Sequence, residues 1–76
     1  MRRRPVSPAR LRKLLNAELQ RQTGRDDVVF RGAIKRKRNG SRGCNWSAHG
    51  LTVPADWAAE ADQVVRRVGA RYNLEA

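Results

Sequence analysis

The stretch DVVFRGAIKRKRNGSRGCNWSA, from Asp27 to Ala48, carries the pattern of a β-hairpin. Val28, Phe30 and Ile34 share one face of the first strand by alternation, and basic residues occupy much of the other face. The letters NGSRG supply the Asn-Gly and Gly residues that turns use for positive φ angles. CNWSA then returns as the second strand, so this stretch predicts a sheet in the middle of the chain.

The return strand changes its alternation soon after Trp46. Leu51 and Val53 follow Trp46 at odd spacing, so a regular strand would turn them to the opposite face. We therefore predict a bulge or bend at His49-Gly50, with a separate short strand at residues 51–53 as the alternative.

The segment before the hairpin, SPARLRKLLNAELQRQTG, predicts an amphipathic helix. Ser7 suits the N-cap, and Pro8 suits the first helical position, where its missing N–H is harmless. Gly24 suits the left-handed position just past the helix end. Four leucines form one apolar stripe at helical spacing: Leu11, Leu14, Leu15 and Leu19.

One acidic residue of this helix stands out. Glu18 falls within the sector bounded by Leu14 and Leu19, where a carboxylate should not be left unpaired. Our hypothesis is that Glu18 pairs with an arginine, either Arg21 or one from a second helix. A helix rim that leaves the carboxylate hydrated is the alternative.

The segment after the hairpin, PADWAAEADQVVRRVGARY, predicts a second helix over residues 54–72. Gly69 interrupts it at a cost of about 1 kcal/mol relative to Ala, so the helix ends there or kinks. The apolar residues follow one continuous helical face: Trp57, Ala61, Val64, Val65, Val68 and Tyr72.

These elements together predict an α+β fold, a small α-β-β-α domain over residues 7–76 with both helices on one face of the hairpin. Residues 1–6, MRRRPV, predict a flexible basic arm, because nothing in them is expected to pack and Pro5 prevents an early helix start. A two-stranded sheet is marginal alone. A third short strand, or a homodimer formed through the open sheet edge, is therefore an open alternative.

The charge of the chain is large and uneven. The net charge is +10. Residues 1–42 hold 14 Lys/Arg against 3 Asp/Glu, whereas residues 43–76 hold 3 Lys/Arg against 4 Asp/Glu. Such asymmetry is typical of a protein that presents one basic surface to an anionic partner.

The composition also predicts where the protein is found. The single Cys44 excludes an internal disulfide, so a reducing environment is the simpler expectation. No apolar run has the length of a membrane span or a secretory signal. We therefore expect a cytoplasmic protein with no membrane partner.

The basic hairpin and the N-terminal arm predict nucleic-acid binding, since Lys and Arg side chains neutralise phosphates and release counterions. The alternative is a protein-binding module or inhibitor of the mobile-element type, which docks on an acidic surface of a host protein. A solvated hairpin whose charges protect an open sheet edge is a third interpretation. The predicted contact residues are Arg2, Arg3, Arg4, Arg31, Lys35, Arg36, Lys37, Arg38, Arg42 and Asn45.

No pattern of residues predicts an enzyme, a metal site or a cofactor. Cys44 and His49 are the only soft ligands, fewer than a zinc site needs. Alternation places them on opposite faces, which disfavours a Cys-His nucleophilic pair. Trp46, Trp57 and Tyr72 fall on apolar faces, so the sequence offers no free aromatic platform for stacking bases.

The segment from GCNWS through VPADWAAEADQVVRRVGARYNL resembles a group of short uncharacterised bacterial and prophage-type proteins. The shared features are the Cys-Asn-Trp strand and a closing aromatic-Asn-Leu motif, here Tyr72-Asn73-Leu74. The resemblance implies a small intracellular accessory protein and assigns no function. The α-β-β-α order is also similar to the double-stranded-RNA-binding domain, but the acidic PADWAAEAD stands where that family has a lysine-rich helix start.

Overall fold

The computed structural model of the chain describes residues 3–36, 45–48 and 50–75. Two α-helices and several short strands form a mixed α+β domain, which confirms the predicted fold class. In chain order, the elements are β1 (Arg4–Val6), α1 (Pro8–Thr23), β2 (Arg31–Gly32), β3 (Lys35–Arg36), β4 (Trp46–Ser47), β5 (Leu51–Thr52), a 3₁₀ helix (Ala55–Trp57), α2 (Ala58–Gly69) and β6 (Tyr72–Leu74).

Helix α1 begins and ends where its capping residues predict. The Ser7 hydroxyl accepts a hydrogen bond from the Arg10 N–H at 3.1 Å, which satisfies one of the free donors at the helix start. Gly24 adopts a φ of 72°, and its N–H donates to the Gln20 carbonyl at 2.8 Å. Three leucines of the predicted stripe are fully buried: Leu11, Leu15 and Leu19.

The two helices pack against each other in antiparallel directions. Glu18 of α1 contacts Arg67 of α2 at 2.7 Å, and Gln22, one turn later, contacts Gln63, one turn earlier, at 2.6 Å. The C-terminal half of α1 therefore lies beside α2, and the C-terminus of α2 points toward the N-terminus of α1.

The return strand is interrupted before Leu51, and the separate short strand given as the alternative forms as β5, whereas His49 of the predicted bulge lies outside the described residues. Gly32 pairs with Leu51, but Lys35, three residues later, pairs with Ser47, four residues earlier. This shift of one residue between the two ladders is the signature of a β-bulge. Gly32 has a φ of 102°, and a Cβ there would collide with the carbonyl oxygen of Gly50. The two strands can therefore approach each other this closely only because these positions are glycines.

The hydrophobic core lies between the helices and the sheets. The predicted inward face of the hairpin is buried at Val28 and Phe30, and Ile34 packs at its margin. The Phe30 N–H donates to the Asn16 side-chain oxygen at 2.8 Å, which fixes the hairpin to α1. The buried apolar residues are Leu11, Leu15, Leu19, Val28, Phe30, Trp46, Ala61, Val64, Val68 and Leu74.

Both ends of the chain differ from the sequence prediction. Helix α2 ends at Gly69, one of the two outcomes predicted for that glycine, and Tyr72 belongs to β6 rather than to the helix. The described part of the predicted flexible arm forms strand β1, which pairs in parallel with β6. The physical reason is that Val6 packs against the core opposite Leu74, so the arm has an apolar anchor after all.

Candidate nucleic-acid interface

The antiparallel packing sorts the charges of the helices toward opposite ends of the molecule. The first two turns of α1 carry Arg10, Arg12 and Lys13 and no acidic residue. Helix α2 starts at the other end, and its start is acidic, with Asp56 just before it and Glu60 in its first turn. The turn that follows α1 adds further carboxylates to that second end, Asp26 and Asp27.

Strand pairing brings more cations to the N-terminal end of α1. The Arg4 N–H donates to the Arg71 carbonyl at 2.8 Å, so these two residues are neighbours. Arg4 and Arg10 line the same surface groove. We call the following set the basic end: Arg4, Arg10, Arg12, Lys13 and Arg71.

The ion pairs of the described residues involve none of the cations of the basic end. No member of the basic end forms an ion pair with another residue in the ranges 3–36, 45–48 and 50–75. Its cations are therefore not neutralised by the described acidic residues. The pairs that do form are Arg21–Glu18 at 2.6 Å, Arg67–Glu18 at 2.7 Å, Arg25–Asp27 at 2.9 Å and Arg66–Asp62 at 3.0 Å.

The cations of the basic end lie near the positive end of the α1 dipole, which is unfavourable for the stability of the helix. The N-terminus of a helix carries partial positive charge, and a cation there costs about 0.3–1 kcal/mol at an exposed site. The first turn of α1 has no acidic residue, and Arg10 occupies the third helical position. The helix dipole and the exposed side chains therefore produce positive potential in the same region, which favours an anion.

Some cations of the predicted contact set lie within the described residues, and others lie outside them. Arg31, Lys35 and Arg36 are exposed. The Arg36 guanidinium donates to the Glu75 carbonyl at 2.7 Å, and the Glu75 N–H donates to the Val6 carbonyl, so Arg36 lies near the start of α1. The remaining predicted cations lie outside the described residues: Arg2, Lys37, Arg38 and Arg42.

Arg3 and Arg4 belong to the predicted flexible arm, and the structure gives them different surroundings. The Arg3 Nε donates to the Gly69 carbonyl at 2.7 Å, at the end of α2. Arg4 is exposed in β1. Arg3 therefore helps to close the end of α2, whereas Arg4 remains accessible to a ligand.

Asn45, a member of the predicted contact set, hydrogen-bonds to β6. Its side-chain amide donates to the Leu74 carbonyl at 2.8 Å, and its side-chain oxygen accepts from the Leu74 N–H at 2.7 Å. Its backbone N–H donates to the Asn73 side-chain oxygen at 3.2 Å. The Asn45 side chain therefore bonds the backbone of β6 as a neighbouring strand would, and its role in binding stays a prediction.

The aromatic residues are placed partly as predicted. Trp46 is buried, and its indole N–H donates to the Tyr72 carbonyl at 3.0 Å. Phe30 is also buried, and Trp57 packs at the margin of the core. Tyr72 differs, because it is only partly buried and lines a groove between β1, α1 and β6.

The Glu18 hypothesis is confirmed, and both candidate partners are used. One carboxylate oxygen accepts from Arg67 at 2.7 Å and the other accepts from Arg21 at 2.6 Å. The hydrogen bond from Arg67, followed by the one from Arg21, lowers the pKa of Glu18 below its usual range. The carboxylate stays charged and joins the two helices.

Within the described ranges, no three His, Cys, Asp or Glu side chains lie close enough together to hold a metal ion. Cys44 and His49 lie outside these ranges. Neither helix combines the length and the apolar character that a membrane crossing needs.

No protein-family model matches the chain, and no curated protein or solved structure matches it significantly. The resemblance to prophage-type proteins therefore stays a prediction. The contact set predicted from the sequence omits four members of the basic end: Arg10, Arg12, Lys13 and Arg71. The signal for Arg10 was present, because a helix start with arginine and no acid is unusual.

Proposed function

We propose that the protein binds nucleic acid and contacts phosphates through the basic end, extended by Arg36. The observation that carries this proposal is the set of five cations at one end of the molecule with no ion pair to a described acidic residue. A net charge of +10 strengthens the long-range attraction of any polyanion. The proposal includes a cytoplasmic location and no catalytic step.

The arrangement favours contacts to the phosphate backbone over reading of base sequence. Arginine and lysine side chains position a protein on nucleic acid, whereas specificity needs contacts to base edges. In the described residues, the one amide of the predicted set, Asn45, is already hydrogen-bonded to β6. The proposed binding is therefore weakly specific or non-specific, and its affinity depends on salt.

The test is fluorescence anisotropy with labelled duplex DNA over a range of salt concentrations. If about five phosphates are neutralised, affinity falls several-hundred-fold between roughly 50 and 200 mM salt. Absence of binding at roughly 50 mM salt, or binding that does not change with salt, would contradict the proposal. Stoichiometric capture of one acidic protein after nuclease treatment, without oligonucleotide binding, would instead support the protein-docking alternative.

A further inference from the structure

A groove of about 220 Å³ lies between the N-terminal strand, the first helix and the C-terminal strand. Its volume is below the roughly 300–1,000 Å³ of pockets for drug-sized ligands, so it suits a single ring system or head group. The groove combines apolar, aromatic and cationic side chains. The lining residues are Arg4, Pro5, Val6, Arg10, Leu14 and Tyr72.

The apolar part of the groove contains an aromatic ring that the fold leaves partly accessible. Tyr72 packs against the core and also lines the groove. Its side chain forms no hydrogen bond with another residue of the described ranges, although its backbone carbonyl accepts from Trp46. Leu14 is the leucine of the α1 stripe that is not fully buried, and it lines the same groove.

The cationic part of the groove consists of Arg4 and Arg10, which are both exposed. Neither forms an ion pair with a described acidic residue. Arginine binds phosphate oxygens bidentately, and it also stacks on flat rings. A ligand that combines a flat ring with an adjacent anionic group therefore matches the lining of the groove.

We propose that this groove binds one unstacked nucleotide of a single-stranded nucleic acid, with the base against Tyr72 and Leu14 and the phosphate between Arg4 and Arg10. The inference rests on the proposed nucleic-acid binding and adds a preference for unpaired strands. Duplex nucleic acid keeps its bases stacked internally, so it engages the cations of the basic end but leaves the groove empty. Base–aromatic stacking is tolerant of sequence, which agrees with weakly specific binding.

The experiment measures anisotropy for a labelled single strand and for a duplex of equal length at low salt. The variants are Tyr72→Leu, which removes the aromatic ring, and Tyr72→Phe, which keeps it. We expect Tyr72→Leu to weaken single-strand binding about fivefold or more and to leave duplex binding within about twofold. Tyr72→Phe is expected to retain wild-type affinity for both ligands.

A second measurement does not depend on the folding of any variant. The wild-type protein is tested with a strand of the same length in which abasic sites replace the bases. The phosphate charge is unchanged, so the proposal predicts about fivefold or greater loss of affinity from missing stacking alone.

Equal binding of the abasic and the normal strand would overturn the groove proposal, and so would an unchanged single-strand affinity in a folded Tyr72→Leu variant. If duplex binding persisted in either case, the proposed function would stand. Failure of both polymers to bind at low salt would overturn the proposed function and the groove proposal together.

Discussion

Glu18 shows how a single residue joins the two helices. Its side chain is 18% exposed and bonds Arg21 on its own helix and Arg67 on the other. Because both arginines keep considerable solvent contact, the network contributes modestly. We expect Glu18→Gln to lower the free energy of unfolding by about 0.5–1 kcal/mol at neutral pH, measured by urea denaturation. Glu75→Gln is a matched control, since the exposed Glu75 side chain lies outside both helices and forms no ion pair with another described residue.

The difference in stability between wild type and Glu18→Gln should also depend on pH. The pKa of Glu18 is lowered in the folded protein, chiefly by the hydrogen bond from Arg67. A lowered folded-state pKa contributes stability that is fully present above the ordinary value of about 4.5 and is lost as the pH falls through the lowered value. The difference between wild type and Glu18→Gln should therefore shrink in acid. A difference that grew in acid would contradict the assignment.

At position 10, an acidic residue would favour stability, whereas the arginine favours binding of an anion. Arg10 stands three residues after the N-cap Ser7, so Arg10→Glu creates a capping box and replaces a cation at the positive helix end. We expect a gain of about 0.5–1 kcal/mol in stability by thermal denaturation. The same change should weaken oligonucleotide binding and lower the magnitude of the salt slope by about 1.

Lys13→Glu is the matched control for this prediction. It makes the same charge change on the same helix, but beyond the first turn, where the dipole effect has largely fallen off. It should weaken binding without stabilising the protein. If Arg10→Glu lost stability, or bound oligonucleotide as well as wild type, the assignment of Arg10 to a phosphate-binding surface would be wrong.

At the scale of elements, local signals predicted the helices and non-local contacts decided the strands. The start and end of α1 follow from Ser7 and Gly24, which act within one turn of the chain. The end of α2 at Gly69 was one of two outcomes that the sequence allowed. The pairing of β1 with β6 joins opposite ends of the chain, and no local pattern encodes such a contact.

Tyr72 illustrates why β6 was not predicted. Its spacing from Trp57 fits a helical face, so the apolar periodicity extended the predicted helix beyond Gly69. The alternation in Tyr72-Asn73-Leu74 is equally regular for a strand, and a three-residue window cannot separate the two patterns. The two motifs that carry the sequence resemblance are in direct contact here, through Asn45 and β6.

The contact between Asn45 and β6 gives a prediction at this scale. In Asn45→Ala, the Leu74 N–H and carbonyl lose the partners that now bond them at 2.7 and 2.8 Å. We expect a loss of about 2 kcal/mol in unfolding free energy, together with faster hydrogen exchange at the Leu74 amide. Gln63→Ala, which removes an exposed amide hydrogen bond, should cost less than about 0.5 kcal/mol. Equal stability of Asn45→Ala and wild type would contradict this role.

At the scale of the whole molecule, the sequence predicts an asymmetric distribution of charge. In the folded protein, the charges are grouped differently from their division along the chain. The chain divides into a basic first part and a neutral second part. The structure instead groups the start of α1 with Arg71 from the second part, because the helices are antiparallel. Asp26 and Asp27, from the first part, follow the end of α1, which lies at the opposite end of the helix pair from the basic end. The hairpin tip, on which the sequence prediction mainly rested, lies outside the described residues.

The central claim is that the position of the cations, and not net charge alone, produces binding. Two triple variants separate these possibilities, because each removes three cations and takes the net charge from +10 to +7. One variant changes the basic end: Arg4→Gln, Arg10→Gln and Lys13→Gln. The other changes arginines that are already ion-paired: Arg21→Gln, Arg25→Gln and Arg66→Gln.

The deciding measurement is the affinity of both triple variants for the same labelled duplex, by anisotropy at roughly 50 mM salt, with the salt slope of each. The account predicts that the basic-end variant loses about tenfold or more in affinity and about 2.7 in the magnitude of the slope. The ion-paired variant should stay within about threefold of wild type. Equal losses in the two variants would contradict the account, because net charge alone would then explain the binding.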